Sequence, residues 1–141
     1  PKVFNLTMGM MTWGINGHGF DMLGASDLET VKLGTHEVWE FRNDVSMGMM
    51  GMVMAHSMHV HGLQFRVIDR SVAGRFARLY DTVKNGFVDE GWKDTVLVWP
   101  GESVRLAIDF KHPHAGTQTF MFHCHNLEHE DKGMMVNFRV A

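Results

Sequence analysis

The run FHCHNLEHEDKGM at residues 122–134 gathers three histidines, the only cysteine of the chain and a methionine. Upstream, AHSMHVHGLQF at 55–65 carries His56, His59 and His61. Imidazole and thiolate bind zinc and copper, and a thioether adds a weak ligand suited to copper. Along an extended strand, side chains two apart share a face and the one between them points the other way. If FMFHCH at 120–125 is a strand, His123 and His125 face one side and Cys124 the other. By the same rule His59 and His61 share a face, so two His-x-His pairs would make a four-imidazole surface for copper or zinc. Cys124 then belongs to a second site on the reverse of its strand, with His56, His129 and Met134 as candidate companions. Two His, one Cys thiolate and a weak axial Met form the ligand set of a blue-copper electron-transfer centre.

Such sites need strands to carry them, and the hydrophobic pattern supplies strands. Val104, Leu106, Ile108 and Phe110 alternate with Ser103, Arg105, Ala107 and Asp109, the mark of a half-buried strand. Phe4-x-Leu6-x-Met8, Val136-x-Phe138-x-Val140 and the run from His59 to Ile68 repeat the period of two. Pro100-Gly101 is expected to close a hairpin between Asp94–Trp99 and Ser103–Phe110. Trp13–Gly24, Ser46–Met58 and Ala73–Trp92 are expected to be loops, the last with a short helix around Arg75–Val83. No other stretch sustains a helical period. The pattern predicts an all-β fold, an antiparallel Greek-key β-sandwich forming one domain over residues 1–141.

Composition removes several function classes. With 13 Lys+Arg against 16 Asp+Glu and a formal charge of -3, the chain has no basic block to follow a phosphate backbone, so nucleic acid is not an expected partner. No apolar run approaches the length of a membrane span, so no membrane association is expected. A single cysteine excludes an internal disulfide and leaves Cys124 as a free thiol, a nucleophile or a metal ligand. The start at Pro1 is consistent with a processed chain or an excised domain, any export signal being already gone. The oddity is 10 His and 13 Met, both of them copper-binding side chains.

H-x-x-H-x-H-G at 56–62 and H-C-H-x-x-x-H-x-x-x-x-M at 123–134, with GWKDTVLV at 91–98 and EHEDKGMM at 128–135, resemble the C-terminal cupredoxin domain of multicopper oxidases, the laccase-like and cuprous-oxidase family. The resemblance covers nearly the whole chain. It implies a cupredoxin-like sandwich and a copper-dependent oxidoreductase. His56, Cys124, His129 and Met134 would hold a type 1 copper, and His59, His61, His123 and His125 would contribute to the type 2/type 3 trinuclear cluster. Electrons from a phenolic or cuprous reductant would pass from the type 1 site through Cys124 to His123 and His125, and dioxygen would be reduced to water. Met134 as axial ligand suggests a moderate potential. Glu130 becomes a candidate for proton delivery, with orientation of His129 or the next turn as its structural alternative. The resemblance further implies a periplasmic or secreted protein. The family cluster takes eight histidines, four of them from a separate N-terminal domain, whereas the matching motifs here supply four. A homo-oligomer is therefore expected, either a twofold dimer or a ring of three drawing on His112 and His114. Ser57 stands where the family usually has proline, which is expected to loosen a loop carrying His56.

Competing readings explain fewer of these residues. His125-Asn-Leu-Glu-His129 matches the H-x-x-E-H zinc-protease pattern, but that pattern needs both histidines on one helix face and His125 ends a strand. A catalytic Cys/His pair leaves most of the motif idle. A blue-copper electron-transfer or copper-binding protein without oxidase activity, or a domain cut from a larger oxidase, are the alternatives that keep the type 1 ligands. Met47, Met49, Met50, Met52, Met54 and Met58 crowd the approach to His56, either as loop packing or as a sulfur-lined path for Cu(I).

Overall fold

In the computed structural model, which describes residues 1–9, 13–43, 45 and 53–141, period-two sequences become strands wherever they occur. Ten strands are present among the described residues: β1 Lys2–Met8, β2 Trp13–Ile15, β3 Thr30–Val31, β4 His36–Asn43, β5 His56–Val60, β6 Phe65–Val72, β7 Thr95–Val98, β8 Glu102–Asp109, β9 Gln118–Cys124 and β10 Met135–Val140. Two short helices, α1 Ala77–Val83 and α2 Leu127–Asp131, complete the regular elements apart from isolated 3-10 turns. The first falls where the short helix was expected. Met47, Met49, Met50 and Met52 lie outside the described residues. No helix of the described residues is long and apolar enough to cross a membrane.

The strands form two five-stranded sheets, ordered β2-β1-β4-β8-β6 and β3-β10-β9-β5-β7. Between them lie Phe4, Trp39, Phe41, Phe110, Phe122 and Phe138, all fully buried. Their rings meet edge-on or tilted, as aromatic quadrupoles prefer, with Trp39 and Phe138 at 5.3 Å and 83°. The chain crosses repeatedly from one sheet to the other between β4 and β9, which gives the Greek-key sandwich its closure.

Several expectations need correction. The sheets are mixed rather than antiparallel throughout, because β1 runs parallel to β4 and β3 parallel to β10. Pro100-Gly101 does not close a hairpin: β7 pairs with β5 in one sheet and β8 with β4 and β6 in the other, so the turn arches across the core. The run from His59 to Ile68 is two strands, broken at Gly62, whose φ of 74° places it in the left-handed region. A Cβ there would strike the Phe120 ring, so both conformation and space demand glycine. The expected loop at Trp13–Gly24 begins with β2, and the one at Ser46–Met58 ends inside β5. His56 is therefore the first residue of a strand and not on a loop, and Ser57 lies within that strand, paired with Leu97.

Candidate metal centre

Strand β9 lies between β10 and β5, and its register with β5 sets Cys124 opposite Met58, His123 opposite His59 and Phe122 opposite Val60. Phe122 and Cys124 join the buried core between the sheets, as do Met58 and Val60 across the ladder. His59 and His123 alternate with them and so take the outer face of the same sheet. One strand thus carries a thiol on its core side and imidazoles on its outer side.

On the core side, His56 shares the face of Met58 on β5 and reaches the thiol. After Cys124 the chain turns into α2, which returns His129 to the same point, and Gly133 with φ 95° turns it sharply into Met134. The backbone ties the loop shut: Cys124 N–H donates to Met134 O at 3.0 Å, and Met134 N–H to His129 O at 3.0 Å. His56, Cys124, His129 and Met134 are all at most 1% exposed. His56 Nδ1 and His129 Nδ1 stand 3.2 Å apart, and Cys124 Sγ lies 3.6 Å from the first and 3.4 Å from the second. A metal bonded at about 2.0 Å to nitrogen and about 2.3 Å to sulfur with near-tetrahedral angles requires separations of about 3.3 Å for N···N and about 3.5 Å for N···S. The three atoms already hold those spacings, so the residues fit a single metal ion.

Electrostatics agrees. Burial, aided by His129, lowers the His56 pKa to about 4, and burial also lowers that of His129. Burial raises the Cys124 thiol above its usual range. Without a metal the trio is neutral imidazole, neutral imidazole and thiol, so Cys124 would have to give up its one proton to serve as a thiolate ligand. A soft thiolate with two imidazoles, and a methionine held beside them by the backbone, is a copper set rather than a magnesium or calcium set.

On the outer face, His61 Nε2 and His123 Nε2 approach to 2.9 Å, and the ligand atoms of His59, His61 and His123 converge closely enough to share an ion. The ring of His125 lies 5.4 Å from that of His123 and 5.8 Å from that of His59. The other ring nitrogens are held from behind. His59 Nδ1 faces the Asp94 carbonyl at 2.9 Å and Thr95 Oγ1 at 3.0 Å, and a carbonyl only accepts, so that nitrogen carries the proton and Nε2 is left as the ligand. His123 Nδ1 lies 3.2 Å from Cys124 O and 3.6 Å from a Glu130 carboxylate oxygen. Glu130 therefore stands behind His123 rather than His129. Burial, then the neighbouring His59 and His123, lowers the His61 pKa. The face opens into a cleft of about 610 Å³ whose wall includes His59, His61, Trp92, Asp94 and Lys111.

All nine residues expected in the sites are thus placed in or beside two groups joined by His123-Cys124-His125. His125 and His129 do not share a helix face, since only His129 lies on α2, which removes the zinc-protease pattern. His112 and His114 stack on each other at 6.1 Å and belong to neither group. Sequence reading missed the Asp94 carbonyl and Trp13. A main-chain acceptor leaves no trace in residue type, and Trp13, stacked on His129, sits far upstream in a stretch without a motif.

Comparison with known proteins agrees with this geometry. The family profile described as Multicopper oxidase matches residues 1–141. The multicopper oxidase mco of Staphylococcus haemolyticus is 41% identical over 127 residues, 90% of this chain and 24% of that protein. A laccase of Haloferax volcanii is 39% identical, over 94% of this chain and 20% of its own length. The crystal structure of the McoA multicopper oxidase from Aquifex aeolicus superimposes with a TM-score of 0.74 at 37% identity, covering 98% of this chain and 28% of that one. The chain spans about a quarter of the relatives it matches.

Proposed function

The chain belongs to the multicopper oxidase family, and from that premise we propose that it supplies the electron-accepting site and half of the oxygen-reducing site of a copper oxidase. Copper, when bound, supplies a one-electron couple at the thiolate group and oxygen reduction at the imidazole cluster. The chain's own residues do the rest. His56, Cys124 and His129 would hold the first ion in a buried pocket, with Met134 beside them as a candidate weak fourth ligand. His59, His61, His123 and His125 present their ring nitrogens to the second centre. The observation that carries the reading is the segment His123-Cys124-His125, which binds both groups through one strand of covalent backbone. An electron arriving at the Cys124 side has a path of bonds to both imidazoles.

Glu130 has two tasks in this reading. Its carboxylate steadies His123 through Nδ1, and its partial exposure, with 30% of the side chain open, lets it exchange a proton with solvent during oxygen reduction. The reductant is a phenol or cuprous ion and the acceptor is dioxygen. The imidazole group is short of a full cluster, so the remaining histidines come from a second copy of the chain or from a further domain.

Replacing Cys124 tests the wiring. Cys124→Ser is expected to abolish the blue thiolate–copper band and to cut oxygen uptake with a phenolic substrate to background. Oxygen uptake that persists at the normal rate in the bleached variant would show that electrons do not pass this way.

A further inference from the structure

Four of the ten histidines take no part in either centre, and two of those stand together. His112 and His114 lie in the loop between β8 and β9, on either side of Pro113, whose ring fixes the backbone between them. The loop is pinned at both ends: Phe110 N–H donates to Thr35 O at 3.0 Å, Gly34 N–H donates to Phe110 O at 2.8 Å, and Gln118 Nε2 donates to Ala115 O at 3.0 Å. Inside it, both ring nitrogens of His112 are buried and have no hydrogen-bond partner among the described residues. A neutral imidazole carries one N–H and one lone pair, so a ring with both nitrogens buried and unpaired is costly. The exposed His114 ring stands beside it with centroids 6.1 Å apart and planes 25° from parallel, a long separation for a stack. Phe120 lies 6.1 Å from the His112 ring, and it is the ring that a Cβ on Gly62, next to His61, would strike. The pair therefore sits near the rim of the outer imidazole cleft, whose wall includes Asp109 and Lys111. The Lys111 charge is answered by Asp109 at 2.8 Å.

We propose that His112 and His114 form a third metal site, an exchangeable one for a copper ion, separate from the thiolate centre and from the outer imidazole group. Elsewhere in this chain, His61 and His123, whose nitrogens meet at 2.9 Å, have ring centroids 5.0 Å apart. Rings 6.1 Å apart that present a nitrogen to each other leave about 4 Å between those nitrogens, twice the bond of about 2.0 Å from a metal ion to imidazole. His114 is exposed, so its ring turns to present a nitrogen at little cost in packing. An ion between the rings satisfies one nitrogen of His112, and the other carries the proton. No thiol or carboxylate of the described residues comes close enough to make a third ligand. Among first-row divalent ions, nitrogen donors hold copper most tightly. Two protein ligands, with water in the remaining positions, hold it less firmly than the buried trio at Cys124. This copper therefore exchanges with solution while the thiolate centre keeps its own. The site stands on this loop alone and does not depend on the oxidase reading.

The test dialyses metal-free protein to equilibrium against copper(II) sulfate and measures copper per chain and the blue thiolate band, before and after desalting. Before desalting, wild type is expected to carry about one copper per chain more than His114→Ala. After desalting the two are expected to agree, with the same blue band throughout. His112→Phe, which puts an apolar ring in the buried place, is expected to show the same deficit and the same band. Equal copper in wild type and His114→Ala before desalting would overturn the site. A deficit matched by loss of the blue band in both variants would overturn it too, since the missing copper would then belong to the thiolate centre. A wild-type chain that takes up copper without ever turning blue would defeat the oxidase reading, and the difference between wild type and His114→Ala would still decide this one.

Discussion

Cys124 and His56 occupy surroundings that suit neither of them in the absence of a metal. The thiol is fully buried with its proton held on, and His56 is buried at 0% exposure with its pKa pushed down to about 4. Folding therefore excludes a proton from His56 that the unfolded chain binds at its ordinary value of 6.5. Between those two values the unfolded state carries more protons, so stability of the metal-free protein falls as pH drops through the window and levels off below it. The size of the effect is on the order of 3 kcal/mol. Urea midpoints of metal-free wild type should decline across this range more steeply than those of His56→Asn, which cannot titrate. Parallel declines would mean that His56 is not the group excluded. The same residues explain what was readable in advance. Spacing alone separated Cys124 from His123 and His125, because strand alternation is a property of the backbone. Trp13 was not readable, since its contact with His129 joins positions far apart in the chain and depends on how β2 lies beside β10.

At the scale of elements, the sandwich is locked by a polar clamp that no motif announces. Arg70 on β6 donates from Nε and Nη2 to the two carboxylate oxygens of Asp89 at 2.8 and 2.9 Å, and from Nη1 to Glu102 at 3.1 Å and to Leu97 O at 2.8 Å. Glu102, the first residue of β8, has no exposed side-chain surface, and its second oxygen accepts from Trp99 N–H at 2.6 Å. The guanidinium also lies over Phe87, so it ties both sheets to the segment that follows α1. Removing the cation strands a buried carboxylate, which costs about 3–5 kcal/mol. Arg70→Met should lose that much in urea denaturation and Arg70→Met/Glu102→Gln should regain part of it; a single variant within about 1 kcal/mol of wild type would contradict the clamp. This clamp also explains the misread turn at Pro100-Gly101. Turn chemistry specifies that the chain reverses, but whether the next strand pairs with the last or crosses the core is decided by partners such as Arg70, distant in sequence from the Glu102 it holds. The strands themselves were legible because apolar alternation is local, and their mixed directions were not, because β1 and β4 meet only through the fold.

For the whole molecule, the two centres differ in completeness under the proposed reading. The thiolate centre draws all its partners from one chain, whereas the outer imidazole face opens into a broad cleft beside Trp92, which is 54% exposed. The family resemblance made the shortfall it implies countable from the motifs. What spacing could not reveal is that the open face is a concave wall with its histidines already oriented by Asp94, Thr95 and Glu130. Copper stoichiometry measured on fractions of known mass tests this division most directly. The account predicts that the monomeric fraction carries the blue thiolate band with at most one further copper per chain on the imidazole face, and a full complement of cluster copper only where a second chain or domain covers that face. A monomer that holds a full complement of cluster copper, or copper bound with no thiolate band, would contradict it.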